Sequence, residues 1–273
     1  MNVYVFANCH GVRYAEIIRN KSKIDSLTVE HDTSYANLKN FDSIKQKIRN
    51  ADVLILQPIT SYPEFSVENI KRHTKVDCLI IRVPFVRFWG FWPDVECVEL
   101  TKFSEDSVMF FPKLVTTMSL DNYLSGPILK KEIVGHFDNE VKKLRFLEAT
   151  GDIPFVDHFL KYFQKTPMFN DPYHPTIPFI NYLTNKIIEK IIIEKQVDVD
   201  FVPLSQAHKL KENVYFRPIR DSVAKELGVE FNLDQYFKYD RLDYLDRIYS
   251  HEIDDKNTKF IENRATMFAS LFD

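Results

Sequence analysis

The sequence predicts an α/β protein, a parallel sheet flanked by helices with a flavodoxin- or SGNH-like core, followed by a largely helical C-terminal part. Three observations predict it. Short apolar runs at residues 3–6, 53–56 and 78–81 have the unbroken hydrophobicity of strands buried on both faces. Segments with helical apolar spacing lie between them, which is the pattern of βαβ units. Each run stops at polar or proline-bearing residues, Asn8-Cys9-His10, Gln57-Pro58 and Arg82-Val83-Pro84. In a parallel sheet those three exits gather along one edge, where open α/β sheets place their ligands.

Taken in order, Val3-Tyr4-Val5-Phe6 reads as the first strand, and Val12, Tyr14, Ala15, Ile17 and Ile18 set a helix over residues 12–19. Residues 27–31 read as a second strand and residues 38–50 as a helix with Phe41, Ile44 and Ile48 on one face. Val53-Leu54-Ile55-Leu56 is the next buried strand, residues 65–73 a short helix, and Cys78-Leu79-Ile80-Ile81 a further strand. Beyond residue 130 the pattern turns helical, over residues 130–149, 156–163 and 178–195. Prolines keep residues 168–176 out of regular helix, so His174 falls on a loop just before the last of these. Residues 198–220 read as a surface excursion, and residues 233–272 as a charged, aromatic tail with helical stretches. With no internal repeat or low-complexity linker, the expectation is one domain, a core over about 1–195 and a helical extension over 196–273.

A chain of 273 residues with a net charge of -3 has no global attraction for nucleic acid or anionic membranes. Three cysteines, Cys9, Cys78 and Cys97, with no CxxC pair, argue against a disulfide framework and a structural zinc site. No leader pattern and no apolar run long enough to span a bilayer occur, so a cytoplasmic location is expected. Six glycines and no GxGxxG or P-loop pattern leave little room for a phosphate-cradling loop. The 23 Phe and 13 Tyr are core-forming in the main, but the run Phe85-Val86-Arg87-Phe88-Trp89-Gly90-Phe91-Trp92-Pro93 also suits a ligand groove.

Two segments carry the chemistry. Cys9 lies at a strand-to-helix junction, beside a helix N-terminus that favours negative charge, or else is a small buried thiol closing a turn. Asp171-Pro172-Tyr173-His174 has the D-x-x-H form in which one loop supplies a base and the carboxylate that orients it. Cysteine, histidine and aspartate together provide nucleophile, base and orienter for acyl transfer. His136, His158, His208 and His251 are too widely spaced for a metal site, and none is expected.

Four segments stand in order: Asn8-Cys9-His10, Leu56-Gln57-Pro58, Pro84-x-x-x-Phe88-x-Gly90-x-x-Pro93-Asp94, and Met168-Phe169 ahead of His174-Pro175-Thr176. Over about residues 1–195 this set resembles the WcbI-type polysaccharide biosynthesis acetyltransferases, bacterial proteins linked to capsule modification that bind coenzyme A. The chain departs from that pattern with Ala7 for the usual glycine and His10 for the usual glutamine. There is a looser similarity of layout to SGNH-type esterases and acetyltransferases, with Cys9 in place of serine.

The resemblance implies transfer of an acetyl group from acetyl-CoA to a sugar hydroxyl in surface polysaccharide synthesis. His174, oriented by Asp171, then either deprotonates the acceptor directly or serves a Cys9 nucleophile. Asn8, Gln57 and backbone N–H groups around Cys9 and His10 are candidates for the oxyanion, and His10 either orients substrate or caps the turn. Arg13, Arg82 and Arg87 are candidates for the coenzyme phosphates. Phe85, Phe88, Trp89 and Gly90 are candidates for the pantetheine wall or a sugar platform. The rivals are an esterase or thioesterase with the same Cys/His/Asp set, and a non-catalytic carbohydrate- or nucleotide-binding protein.

Overall fold

The structure, a computed structural model, describes residues 1–21, 27–34, 41–59, 61–93, 96–99, 107–110, 125–197 and 219–231. Residue contacts divide the chain into two compact units, interleaved along the sequence. Unit 1 takes Met1–Arg87, Lys142–Tyr162 and Met168–Val214; unit 2 takes Phe88–Val141, Phe163–Pro167 and Tyr215–Asp273.

Unit 1 holds the predicted parallel sheet. Strands β1 (Asn2–Ala7), β2 (Thr28–Thr33), β3 (Val53–Leu56) and β4 (Leu79–Arg82) lie in the order β2-β1-β3-β4, all parallel. Helix α1 (Cys9–Lys21) joins β1 to β2 on one side; the chain then passes through α2 (Phe41–Asn50) and returns on the other side of β1 as β3. The direction of winding therefore reverses between β1 and β3. Phe6 pairs with Leu56 and Leu56 with Arg82, so the strand ends are level. The Gln57 N–H donates to Phe6 O at 2.9 Å, and the Val83 N–H to Leu56 O at 2.8 Å.

Alternation along β1 explains the two covered faces. Tyr4 and Phe6, with Leu54 and Leu56, pack against Ile44 and Ile48 of α2, then Phe65, and Ile70 of α3 (Val67–Lys71). Val5 and Ala7 face α1: a Cβ built on Gly11 would lie 2.9 Å from Ala7 Cβ and 3.3 Å from Val5 Cγ1. Glycine thus lets the helix lie close to the strand just past the first exit. Each side chain of this size buried in full stabilises the fold by about 1.5–3 kcal/mol.

Two further features position the site. β7 (Phe169–Asp171) and β8 (His174–Pro175) form a small antiparallel hairpin where the sequence reading had only a loop. It leads directly into α6 (Ile177–Lys195), whose Phe179, Ile180, Leu183, Ile187 and Ile188 are buried and which packs on α1. Helix α4 (Lys130–Ala149) matches its predicted bounds, and α5 (Val156–Tyr162) stops one residue short.

Unit 2 contains the antiparallel pair β5 (Glu96–Glu99) and β6 (Ser107–Phe110), the first part of α4, and α7 (Asp221–Leu227). Rings of Phe88, Phe91, Phe137 and Phe163 meet at 5.0–6.2 Å between centroids. Gly228 ends α7 at φ 67, a left-handed conformation that suits glycine. The predicted tail over residues 233–272 and nearly all of the 198–220 excursion lie outside the described residues. Among the described residues no helix is long and apolar enough to cross a membrane.

Candidate active site

The first component is the turn that leaves β1. Asn8 caps α1: its Oδ1 accepts the His10 N–H at 3.1 Å, and its carbonyl accepts the Gly11 N–H at 2.9 Å. The cap makes Cys9 the first helical residue, three positions earlier than the apolar periodicity indicated. Gln57 Oε1 accepts the Asn8 N–H at 2.9 Å, fastening this turn to the exit of β3 at the point where the winding reverses. Cys9 is exposed there.

The second component is the turn of the β7–β8 hairpin. Asp171, largely buried, draws it together. Its Oδ1 accepts the N–H groups of Tyr173 at 2.8 Å and His174 at 3.0 Å, and its Oδ2 meets His174 Nδ1 at 2.7 Å. With Nδ1 held by Asp171, Nε2 is the nitrogen left to exchange a proton. Cys9 faces the same cavity as this imidazole. The Asp171 hydrogen bond and then the nearby Cys9 push His174 up to about 10, against a smaller opposing effect of burial. At neutral pH the ring is therefore an imidazolium.

His10 lies beneath the pair. Its Nε2 donates to the Tyr173 carbonyl at 2.9 Å, while burial holds the ring down to about 4, hence neutral. Its Nδ1 is then an acceptor, and it has no partner. Phe85, just past the exit of β4, lies 5.1 Å from the His10 ring and stacks on Tyr173 at 6.0 Å.

A cavity of about 360 Å³ opens beside Cys9 and His174. Val12, Pro175, Ile177 and Ile180 give it apolar walls, and Asn170 and His10 also line it. Arg13 and Glu16 are its charged residues, joined to each other at 2.9 Å.

A family model described as the polysaccharide biosynthesis enzyme WcbI matches residues 2–196. The chain belongs to the WcbI family. One solved structure of a WcbI protein aligns over 97% of this chain and 98% of its own, with a TM-score of 0.59 and 14% sequence identity. It is described as a novel polysaccharide biosynthesis enzyme, in a native form without a disulfide bond between coenzyme A and one of its cysteines. At that identity the likeness shows a shared fold. No curated protein matches this chain.

The WcbI match includes Cys9, Asp171 and His174, and the structure brings these three together. Asn8, His10, Gln57, Arg13 and Phe85 surround them. Of these, His10 has its ring N–H engaged by the Tyr173 carbonyl. The Asn8, His10 and Gly11 N–H groups are likewise engaged. Asn8 Nδ2, buried and without a partner, and the Cys9 N–H are the donors left at the turn.

The remaining expectations fare differently. Arg82 forms a forked pair with Asp152, whose Oδ1 it meets at 2.7 Å through Nη2 and 3.2 Å through Nε. Arg87 is exposed. Phe88 is fully buried in unit 2 against Phe91 and Phe137, a core position from which it lines no groove. A Cβ on Gly90 would fall 2.2 Å from Phe88 Cζ, so that glycine serves ring packing. The Trp89 N–H donates to Glu140 Oε2 at 3.2 Å, and its carbonyl accepts from His136 Nε2 at 3.0 Å. Among the described residues no three His, Cys, Asp or Glu side chains cluster as metal ligands would. Sequence reasoning missed Asn170, Glu16, Ile177 and Ile180 in the cavity, and the Tyr173 carbonyl under His10.

Proposed function

We propose that this WcbI-family enzyme is a coenzyme A-dependent O-acyltransferase, moving an acetyl group from a thioester to a sugar hydroxyl through Cys9. The observation that carries this reading is that Cys9 and an Asp171-held His174 line one largely apolar cavity. Coenzyme A would supply the acyl group as a thioester. The cavity suits the thin pantetheine arm rather than the whole molecule, and Arg13 at its wall with exposed Arg87 are the cations for the phosphates.

The charge on His174 favours the covalent route. An imidazolium has no capacity to deprotonate a sugar hydroxyl directly. Instead Cys9 attacks the thioester carbonyl in its reactive thiolate form while the Cys9 N–H receives the oxyanion. His174 hands its proton to the departing thiol, leaving acetyl-Cys9 and a neutral ring. Acylation removes the Cys9 influence that helps raise His174, so the ring is a base for the second half. His174 then takes the hydroxyl proton as the sugar oxygen attacks acetyl-Cys9. The ester leaves, and the sulfur and proton return to their starting places.

Calorimetric titration with coenzyme A and acetyl-CoA tests the reading, with Cys9→Ala and His174→Ala as comparators. Saturable binding in all three proteins, with an acetyl increment on the Cys9 peptide of the unsubstituted enzyme alone, is the expected result. Absence of coenzyme binding at micromolar protein overturns it. Rapid hydrolysis of acetyl-CoA that no sugar diverts would make the protein a thioesterase.

A further inference from the structure

Nucleophile and base arrive from chain segments far apart, one opening α1 and the other leading into α6, which packs on α1. Asn8 organises the first turn, and all three Asp171 hydrogen bonds stay within the second. The two turns meet at one hydrogen bond, His10 to Tyr173, 163 positions along the chain, and Cys9 and His174 line one cavity beside it. We propose that His10 is a positioning residue, whose Nε2–H···O=C bond to Tyr173 fixes the distance between Cys9 and His174. The proposal rests on the Cys9 chemistry put forward above.

Three features fit a clasp rather than a substrate contact. The donor is directed at backbone, so it sets the position of the chain immediately before His174 whatever side chain residue 173 carries. Phe85 touches both the His10 and Tyr173 rings, supporting the bond from the β4 exit. The burial that keeps His10 neutral also fixes its tautomer, because the carbonyl accepts only from a protonated Nε2. A second cation here would lie 6.5 Å from the His174 ring and repel it. Misplacement by about 1 Å at such a pair costs up to roughly 100-fold in rate.

The test compares His10→Leu, which keeps apolar bulk and removes the donor, with His10→Gln, whose side-chain amide restores one. Two readouts need no acyl donor: the rate of Cys9 carbamidomethylation at pH 7, and the NMR titration of the His174 ring. In His10→Leu, alkylation slows by about tenfold or more and the His174 midpoint moves down from about 10. His10→Gln keeps both near the unsubstituted values. A folded His10→Leu protein with both readouts unchanged overturns the proposal, as does a His10→Gln protein that behaves like His10→Leu. Should His10→Leu fail to fold, His10→Asn, whose amide stops one methylene short, takes its place with the same outcomes. An intact pair without acyl transfer would sink the proposed activity and leave the clasp standing.

Discussion

Cys9 and Cys78 border the same parallel sheet at opposite edges. Cys9 follows β1 at the carboxyl edge, opens a helix capped by Asn8 and lines a cavity with His174. Cys78 precedes β4 at the amino edge, where its N–H meets Lys75 O at 3.2 Å and its sulfur finds only the Leu79 carbonyl. Burial pushes the Cys78 thiol up to about 11. The two residues are chemically identical, so the difference lies in strand direction. At the carboxyl edge a strand feeds a helix N-terminus and meets neighbouring exits; at the amino edge a thiol has a backbone carbonyl for company.

The sharpest way to break the comparison is by substitution. Cys9→Ala should abolish thiol release from acetyl-CoA, by about 1,000-fold or more, while Cys78→Ala leaves it unchanged. A comparable loss in both, measured in one steady-state assay, would remove the distinction. Selective alkylation sharpens it. A thiol titrating near 11 is ionised to only roughly one part in 10,000 at pH 7. Peptide mass spectrometry should therefore find Cys78 labelled about 100-fold or more slowly than Cys9; equal labelling would show that the two environments do not differ as described.

The smallest effect concerns stability. The folded value of His174 lies above its unfolded one, so its protonation stabilises the fold fully below about pH 6.5. That contribution fades as pH rises through about 10. Asp171→Asn removes its largest cause. The melting temperature of the variant should trail the unsubstituted protein most at pH 6, with the gap closing toward pH 10. A gap that widens with pH would reverse the sign of this linkage.

How much of this was legible in the sequence depends on the range of the interaction. Val53–Leu56 and Lys130–Ala149 were read to the residue because unbroken apolarity and helical spacing are local signals. Helix α1 begins earlier than its periodicity because a cap depends on one hydrogen bond rather than on the apolar stripe. The hairpin at residues 169–175 was read as loop because its turn is made by a side chain, Asp171, standing in for a backbone acceptor. That Cys9, Asp171 and His174 belong near one another could be anticipated from residue type and order. The cavity could not, since Val12 and Ile180 become neighbours only when α1 packs on α6. Phe88 and Gly90 looked like a ligand groove because an aromatic run carries the same pattern in a core. The Tyr173 carbonyl left no trace, because every residue carries one.

The separation of 163 positions between His10 and Tyr173 also has a meaning in time. At ribosomal speeds of about 5–20 residues per second, Cys9 is made on the order of ten seconds before the residues that complete its site. During that interval the thiol is a newborn helix's first residue with no base beside it. A chain that ends before Asp171 therefore carries Cys9 without the Asp171 and His174 proposed to act with it.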